Sequence, residues 1–118
     1  MKIEGASPEL QEMTRKVFAV AEWICGSAPV YHEGSGWYKC GKPILAWFYL
    51  IGPRAKKHPA NSILVTATKS DDRTAESAER IGNNMFGNPT PEFVVKAGDM
   101  DSFAGFLEFI SRLYRARR

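Results

Sequence analysis

The feature that most constrains the fold of this chain is an uncharged run of eight residues, Ile44–Ile51, with the sequence ILAWFYLI. Turn-forming residues bound this run, with Gly41-Lys42-Pro43 before it and Gly52-Pro53 after it. A run of this length that is rich in Ile, Trp, Phe and Tyr favours a β-strand over a helix. Both alternating sets of its side chains are apolar, which is typical of a central strand covered on both faces, or of a strand with one face at an interface.

Turn and loop signals divide the neighbouring sequence into further short strands. A glycine-rich turn at Gly34–Gly36 precedes the segment Trp37–Cys40, which can pair with the apolar run through the next turn. Because turns and short loops connect strands that run antiparallel, this region predicts a β-meander. The predicted strands are Val30–Glu33, Trp37–Cys40, Ile44–Ile51, Ser62–Thr68 and Phe93–Lys96.

Two longer helices are predicted near the ends of the chain. The first covers Pro8–Cys25, since Ser7 is a good N-cap, proline suits the first helical position, and Gly26 suits the position after the last turn. The last helix is capped by Asp99 or Asp101. Its predicted apolar stripe consists of Phe103, Phe106, Leu107, Ile110, Leu113 and Tyr114.

A third, short helix is predicted from Asp71 or Asp72 to about Ile81, with Gly82 closing it. The segment Asn83–Pro91 is rich in Asn, Gly and Pro, and it predicts a surface loop. The order of these elements predicts a single two-layer α+β domain over residues 1–118. We expect an antiparallel sheet of about four to five strands, with the N- and C-terminal helices packed on one face.

The positive charge of the chain is concentrated in two places. Sixteen Lys and Arg against thirteen Asp and Glu give a formal charge of +3, but four of the arginines lie in the last seven residues. The second basic element is the predicted loop Gly52–Asn61. If the loop and the last helix share a face, they form a focused positive patch for nucleic acid or another polyanion. The residues predicted to contact it are Arg54, Lys56, Lys57, His58, Arg112, Arg115 and Arg118.

An ordinary solvated surface is the alternative for these charges. Cations in a last helical turn complement the helix dipole, and Glu108 lies four residues before Arg112, at the spacing of a helical ion pair. The dipole explains one or two of the arginines more easily than all four, because its effect fades within one turn.

Aromatic residues are dense in the predicted hairpin and suggest a second function. Trp37, Tyr38, Trp47 and Tyr49 could stack on bases or form a hot spot for a protein partner. Tyr38 is the predicted exposed residue, because Lys39 and Lys42 flank it. The alternative function is therefore a protein-interaction or regulatory module, with a homodimer as one form, that uses Tyr38 and Trp47. Ordinary packing of the sheet explains at least half of these aromatic residues equally well.

No catalytic residue, metal site or cofactor site is predicted from the motifs. A small enzyme with a Cys40–His32 pair is the third alternative, although no oxyanion or nucleophile-elbow motif accompanies the pair. The two cysteines, Cys25 and Cys40, form neither a CxxC motif nor a disulfide framework, so a bond between them is expected only in an oxidising compartment. The N-terminal sequence lacks the apolar core of a signal peptide, and no run is long enough to span a membrane. We therefore expect a soluble, cytoplasmic protein with reduced thiols and no membrane partner.

Several segments together resemble the MmcQ/YjbR-like proteins. They are WYKCGKPILAWFYL, SILVTATK, a short helix, FVVKAG, and a final helix that closes near Leu113-Tyr114. The resemblance covers about Trp37–Arg117, and it implies a compact α+β fold that is often described as DNA-binding, with no established enzyme activity. This chain departs from the family pattern, since Pro43 follows the Gly-Lys, the 52–61 loop is long and basic, and the usual tryptophan before the last strand is missing.

Overall fold

The computed structural model of the protein describes residues 1–67, 77–83, 87 and 89–116. Two α-helices lie in this part of the chain, α1 at Pro8–Cys25 and α2 at Met100–Ala116, and a short 3-10 helix covers Ile3–Gly5. The strands are β1 at Val30–His32, β2 at Trp37–Cys40, β3 at Ala46–Ile51, β4 at Ser62–Ala67, β5 at Arg80–Asn83 and β6 at Pro89–Lys96.

Helix α1 has the predicted bounds because both of its ends are encoded locally. The hydroxyl oxygen of Ser7 accepts a hydrogen bond from the backbone N–H of Leu10 at 3.2 Å. At the other end Gly26 adopts the left-handed conformation, with φ 81°, and its N–H donates to the carbonyl of Glu22 at 2.8 Å. A side chain at this position would be strained, which explains why the helix stops at a glycine.

The six described strands form one antiparallel sheet in the order β1-β2-β3-β4-β6-β5. The predicted fold class is confirmed, with a sheet somewhat larger than expected. Strand β3 is central, as the apolar run predicted, but it begins at Ala46 rather than Ile44. The difference arises because the carbonyl of Cys40 accepts a hydrogen bond from the N–H of Leu45 at 2.8 Å, which closes the preceding turn.

Two predictions are corrected where β5 forms the edge of the sheet: the end of the short helix and the bounds of the loop after it. Ile81 and Gly82 lie in a strand, not at the end of a helix, and they pair with Pro91 and Thr90 of β6. The predicted loop Asn83–Pro91 is too long, since Asn83 belongs to β5 and β6 already begins at Pro89. Proline lacks a backbone N–H and normally marks loops, but it is tolerated as the first residue of a strand. Asp71 and Asp72, the predicted caps, lie outside the described residues.

Both helices pack on one face of the sheet, as predicted, and this layer contains the main core. Tyr38, Phe48, Val65 and Phe93 are cross-strand neighbours that all point into it. The ring of Phe93 approaches α2 so closely that a side chain at Gly105 would lie 2.5 Å from it. The helix residues that are fully buried in the core include Leu10, Val17, Phe106, Phe109 and Ile110.

The buried stripe of α2 differs from the predicted one by a small rotation of the helix. Leu107 and Tyr114 keep 38% and 36% of their surface exposed, whereas Phe109 is fully buried. At 100° per residue, the buried residues centre near Phe106 and Leu113, so Leu107 and Tyr114 lie at the flank of the stripe. Asp99 rather than Asp101 caps the helix, because its carboxylate accepts hydrogen bonds from the N–H groups of residues 101 and 102.

Cys25 and Cys40 form a disulfide, so the prediction of two reduced thiols is wrong. Helix α1 ends beside the face of β2 that the helices cover. The Cα atoms of the two cysteines are therefore 6.4 Å apart, within the usual range for a disulfide. The cytoplasmic location stays a prediction. None of the described helices is both long and apolar enough to cross a membrane.

Candidate functional site

The face of the sheet opposite the helices carries a second group of side chains, which we call the outer face. Its residues alternate along each strand with those that enter the main core. Ile51, Leu64 and Val94 form a small separate apolar cluster there, and the rings of Trp37 and Tyr49 pack against it. The outer face therefore combines a buried centre with large aromatic residues that are only partly covered.

Four aromatic rings lie together on the outer face. Trp37 and Tyr49 are directly opposite each other on β2 and β3, with ring centroids 5.0 Å apart. His32 and Trp47 meet edge to face at 6.0 Å. Both tryptophans and Tyr49 are half-buried, His32 is exposed, and Lys39 lies opposite Trp47 in the register. The result is an aromatic surface with a cation at its side.

Tyr38 faces the other way, so the prediction that it is exposed is wrong. It keeps 7% of its surface, and its ring meets Phe18 at 4.8 Å and Tyr31 at 5.1 Å. Its hydroxyl oxygen accepts a hydrogen bond from the N–H of Ile3 at 2.9 Å. The alternation of WYKC contained the signal, because Tyr38 must share a face with Cys40, while Trp37 shares one with Lys39.

The basic loop, residues 52–61, joins β3 to β4. A contact near its C-terminal end holds it against the outer face. The Nδ1 atom of His58 accepts a hydrogen bond from a guanidinium N–H of Arg80 at 2.9 Å. The same guanidinium donates from Nε to Glu92 at 2.8 Å. Because Arg80 and Glu92 belong to β5 and β6, this chain of contacts holds His58 against the sheet and leaves it half-buried.

The cations of the basic loop adjoin the aromatic surface through an open groove. The groove has a volume of about 430 Å³, and its lining combines Met1 and the end of β3, Tyr49 to Ile51, with residues of the basic loop that include Arg54, Lys56, Lys57 and His58. Arg54, Lys56 and Lys57 are all exposed. The structure thus brings the predicted basic loop and the predicted aromatic hairpin together at one site.

The arginines of α2 lie elsewhere. The helix starts beside the end of β6, where the N–H of Lys96 donates to the Ser102 hydroxyl at 2.9 Å. It then runs back along β6, since Phe109 packs against Phe93 at 5.7 Å. Strand β4 begins where β6 ends, because Ser62 pairs with Lys96, so the basic loop is at the start of α2.

The last turn of α2 is therefore at the opposite end of the sheet from the basic loop. The helix has 17 residues and a length of about 25 Å. Arg115 is exposed in this last turn, and Arg112 donates two hydrogen bonds to Glu108, at 2.9 and 3.2 Å. As far as residue 116, the basic residues of α2 therefore form no common patch with the basic loop. Arg118 lies outside the described residues.

The proposed Cys40–His32 pair is contradicted by the same geometry. Cys40 is bonded to Cys25 inside the helix layer, whereas His32 is on the outer face and its Nδ1 contacts the Ser35 hydroxyl at 2.9 Å. Within the described residues, no group of three or more His, Cys, Asp or Glu side chains could hold a metal ion.

The charges of the described residues are distributed unevenly between the two layers. Residues 1–26 and 99–116, which form the helix layer and its caps, carry five Lys or Arg and seven Asp or Glu. The sheet and its loops, in residues 27–67, 77–83 and 89–98, carry seven Lys or Arg and three Asp or Glu. Among the described residues, the sheet and its loops are therefore more basic than the helix layer.

The chain matches no protein-family model, no curated protein and no solved structure. The resemblance to the MmcQ/YjbR-like proteins stays a prediction.

Proposed function

We propose that this protein binds nucleic acid through the basic loop and the outer face. The observation that carries the proposal is the groove whose lining contains both the cations of the loop and Tyr49 of the aromatic surface. Cationic side chains beside a nucleic acid release its counterions, which supplies most of the affinity in binding without sequence preference.

The proposal assigns the main contact to the basic loop rather than to the arginines of α2. Lys56 and Lys57 are exposed beside the groove, and each is free to move toward a phosphate on a long side chain. Arg112 is engaged with Glu108, so a phosphate would have to displace a carboxylate from it. These differences allow a direct comparison of two pairs of residues with equal charge.

The test is the salt dependence of binding to a short fluorescein-labelled oligonucleotide, followed by fluorescence anisotropy. Each contact with a single-stranded phosphate contributes about −0.7 to the slope of log K against log salt. We expect the variant Lys56→Gln/Lys57→Gln to reduce the slope by about 1.4. The matched control Arg112→Gln/Arg115→Gln removes the same charge and should change the slope little. Equal losses in the two variants, or no binding at low salt, would contradict the proposal.

A protein-interaction module is the second candidate, because half-buried tryptophans are typical of the centres of protein interfaces. Trp37 and Trp47 have this exposure on the outer face. Sedimentation of the purified protein separates the two candidates. A defined dimer that is lost on the substitution Trp47→Ala, with unchanged nucleic-acid binding, favours the module.

A further inference from the structure

We infer that the site prefers single-stranded nucleic acid, with two successive bases stacked on the outer face and the following phosphates held by the basic loop. This inference rests on the proposed function and adds the class of ligand. The groove and the aromatic surface together form one path along β3, from Trp47 through Tyr49 to the loop.

The spacing of the rings along β3 suits successive bases. Trp47 and Tyr49 are two residues apart on the same face, so their Cα atoms are separated by about 7 Å. Each ring already contacts an aromatic neighbour: His32 meets Trp47 edge to face, and Trp37 lies tilted by 37° against Tyr49. A ring held in this way loses little freedom when a base stacks on it, which favours binding.

Cations lie at both ends of the path that the rings form. Lys39 lies opposite Trp47 on β2, at the far end of the path. Beyond Tyr49 the strand ends at Ile51, and Arg54, Lys56 and Lys57 follow within the groove. A single-stranded nucleic acid whose bases face the aromatic rings would therefore have positive charge beside its phosphate backbone at both ends of the path.

A duplex cannot use the aromatic part of this site. Its bases stack on each other and present only their edges in the grooves, whereas a ring on a sheet needs an exposed base face. The basic loop alone could bind the backbone of either form. The preference for a single strand therefore depends on the rings, and it can be removed without removing the charge.

The experiment compares a short oligo(dT) with a blunt-ended DNA duplex of similar charge at the same low salt. We expect the protein to bind oligo(dT) at least about tenfold more tightly, since one stacked base is worth about 5- to 150-fold in affinity. The substitution Trp47→Leu should reduce this preference by the contribution of one stacked base, about 5- to 150-fold, and leave duplex binding unchanged. Trp23→Leu is the matched control, because Trp23 lies on α1 with 86% of its surface exposed and should contribute nothing.

The outcomes separate this inference from the proposed function. Equal affinity for the two ligands, with a loss of both in the Lys56→Gln/Lys57→Gln variant, overturns the single-strand preference and keeps the proposed function. No binding of either ligand overturns both. A preference for oligo(dT) that is unchanged in the Trp47→Leu variant also overturns the inference. If this variant fails to fold, Tyr49→Leu takes its place, and it should likewise reduce the preference for oligo(dT); an unchanged preference overturns the inference. A dimer that occupies the outer face and excludes oligo(dT) would place a protein there instead.

Discussion

The disulfide between Cys25 and Cys40 leads to the prediction with the best-defined magnitude. It joins the end of α1 to β2 and closes a loop with a sequence separation of 15 residues. In the chain-entropy model, a cross-link that closes a loop of this size lowers the entropy of the unfolded chain by about 10 cal/mol/K, which corresponds to about 3 kcal/mol at 25 °C. Reduction should lower the free energy of unfolding by this amount, because the native contacts around the bond remain.

The size of this effect can be translated into two measurable shifts. For a chain of 118 residues, the entropy of unfolding near the midpoint is about 0.25 kcal/mol/K, so the loss corresponds to about 12 °C in Tm. With a urea m-value of about 1–3 kcal/mol/M, the urea midpoint should fall by about 1–3 M.

The assay is equilibrium urea unfolding, followed by tryptophan fluorescence, with and without a thiol reductant. The reductant must be present throughout unfolding, because Cys40 keeps only 2% of its surface in the folded protein. The double variant Cys25→Ala/Cys40→Ala is the control, and its midpoint should not respond to reductant. An oxidised wild-type protein whose midpoint is the same with and without reductant would refute the reasoning.

Two further predictions concern the helices. Phe106→Ala should destabilise the protein by about 3–5 kcal/mol, because Phe106 is fully buried, whereas Leu107→Ala should cost less than about 1 kcal/mol, because Leu107 is partly exposed. Similar urea midpoints for these two variants would contradict the rotation of α2 described above. Ser7→Ala should cost about 1 kcal/mol through loss of the cap of α1, and Ser7→Asp should restore most of it. A Ser7→Ala midpoint equal to that of the wild type would show that the cap contributes nothing.

Elements with local signals were predicted well from the sequence. Helix α1 has both ends marked by residues within the helix or beside it, and the strand Trp37–Cys40 is bounded by turns on each side. Strand β5 was missed because Arg80–Asn83 carries little strand signal of its own, and Gly82 within it was interpreted as the end of a helix. The proline at the start of β6 added a loop signal that tertiary pairing overrides.

The composition of the candidate site was predictable, but its arrangement was not. Basic residues in the 54–58 segment and aromatic residues in the hairpin are visible in the sequence, and the structure places the basic segment and Tyr49 at one groove. Tyr38 was assigned to the wrong side because its charged neighbours were weighed above the alternation of the strand. The separation of the basic loop from Arg115 depends on the direction in which α2 crosses the sheet, which no local pattern encodes.

The central claim is that the outer face, and not the helix layer, contacts nucleic acid. The three tryptophans test it within one sample, since Trp37 and Trp47 lie on the outer face and Trp23 lies on α1. The measurement is a titration of nitrogen-15-labelled protein with oligo(dT), followed through the three indole N–H signals in the NMR spectrum. We predict that the signals of Trp37 and Trp47 shift in step with binding while that of Trp23 stays in place. A shift of the Trp23 signal, with those of Trp37 and Trp47 unmoved, would contradict the claim.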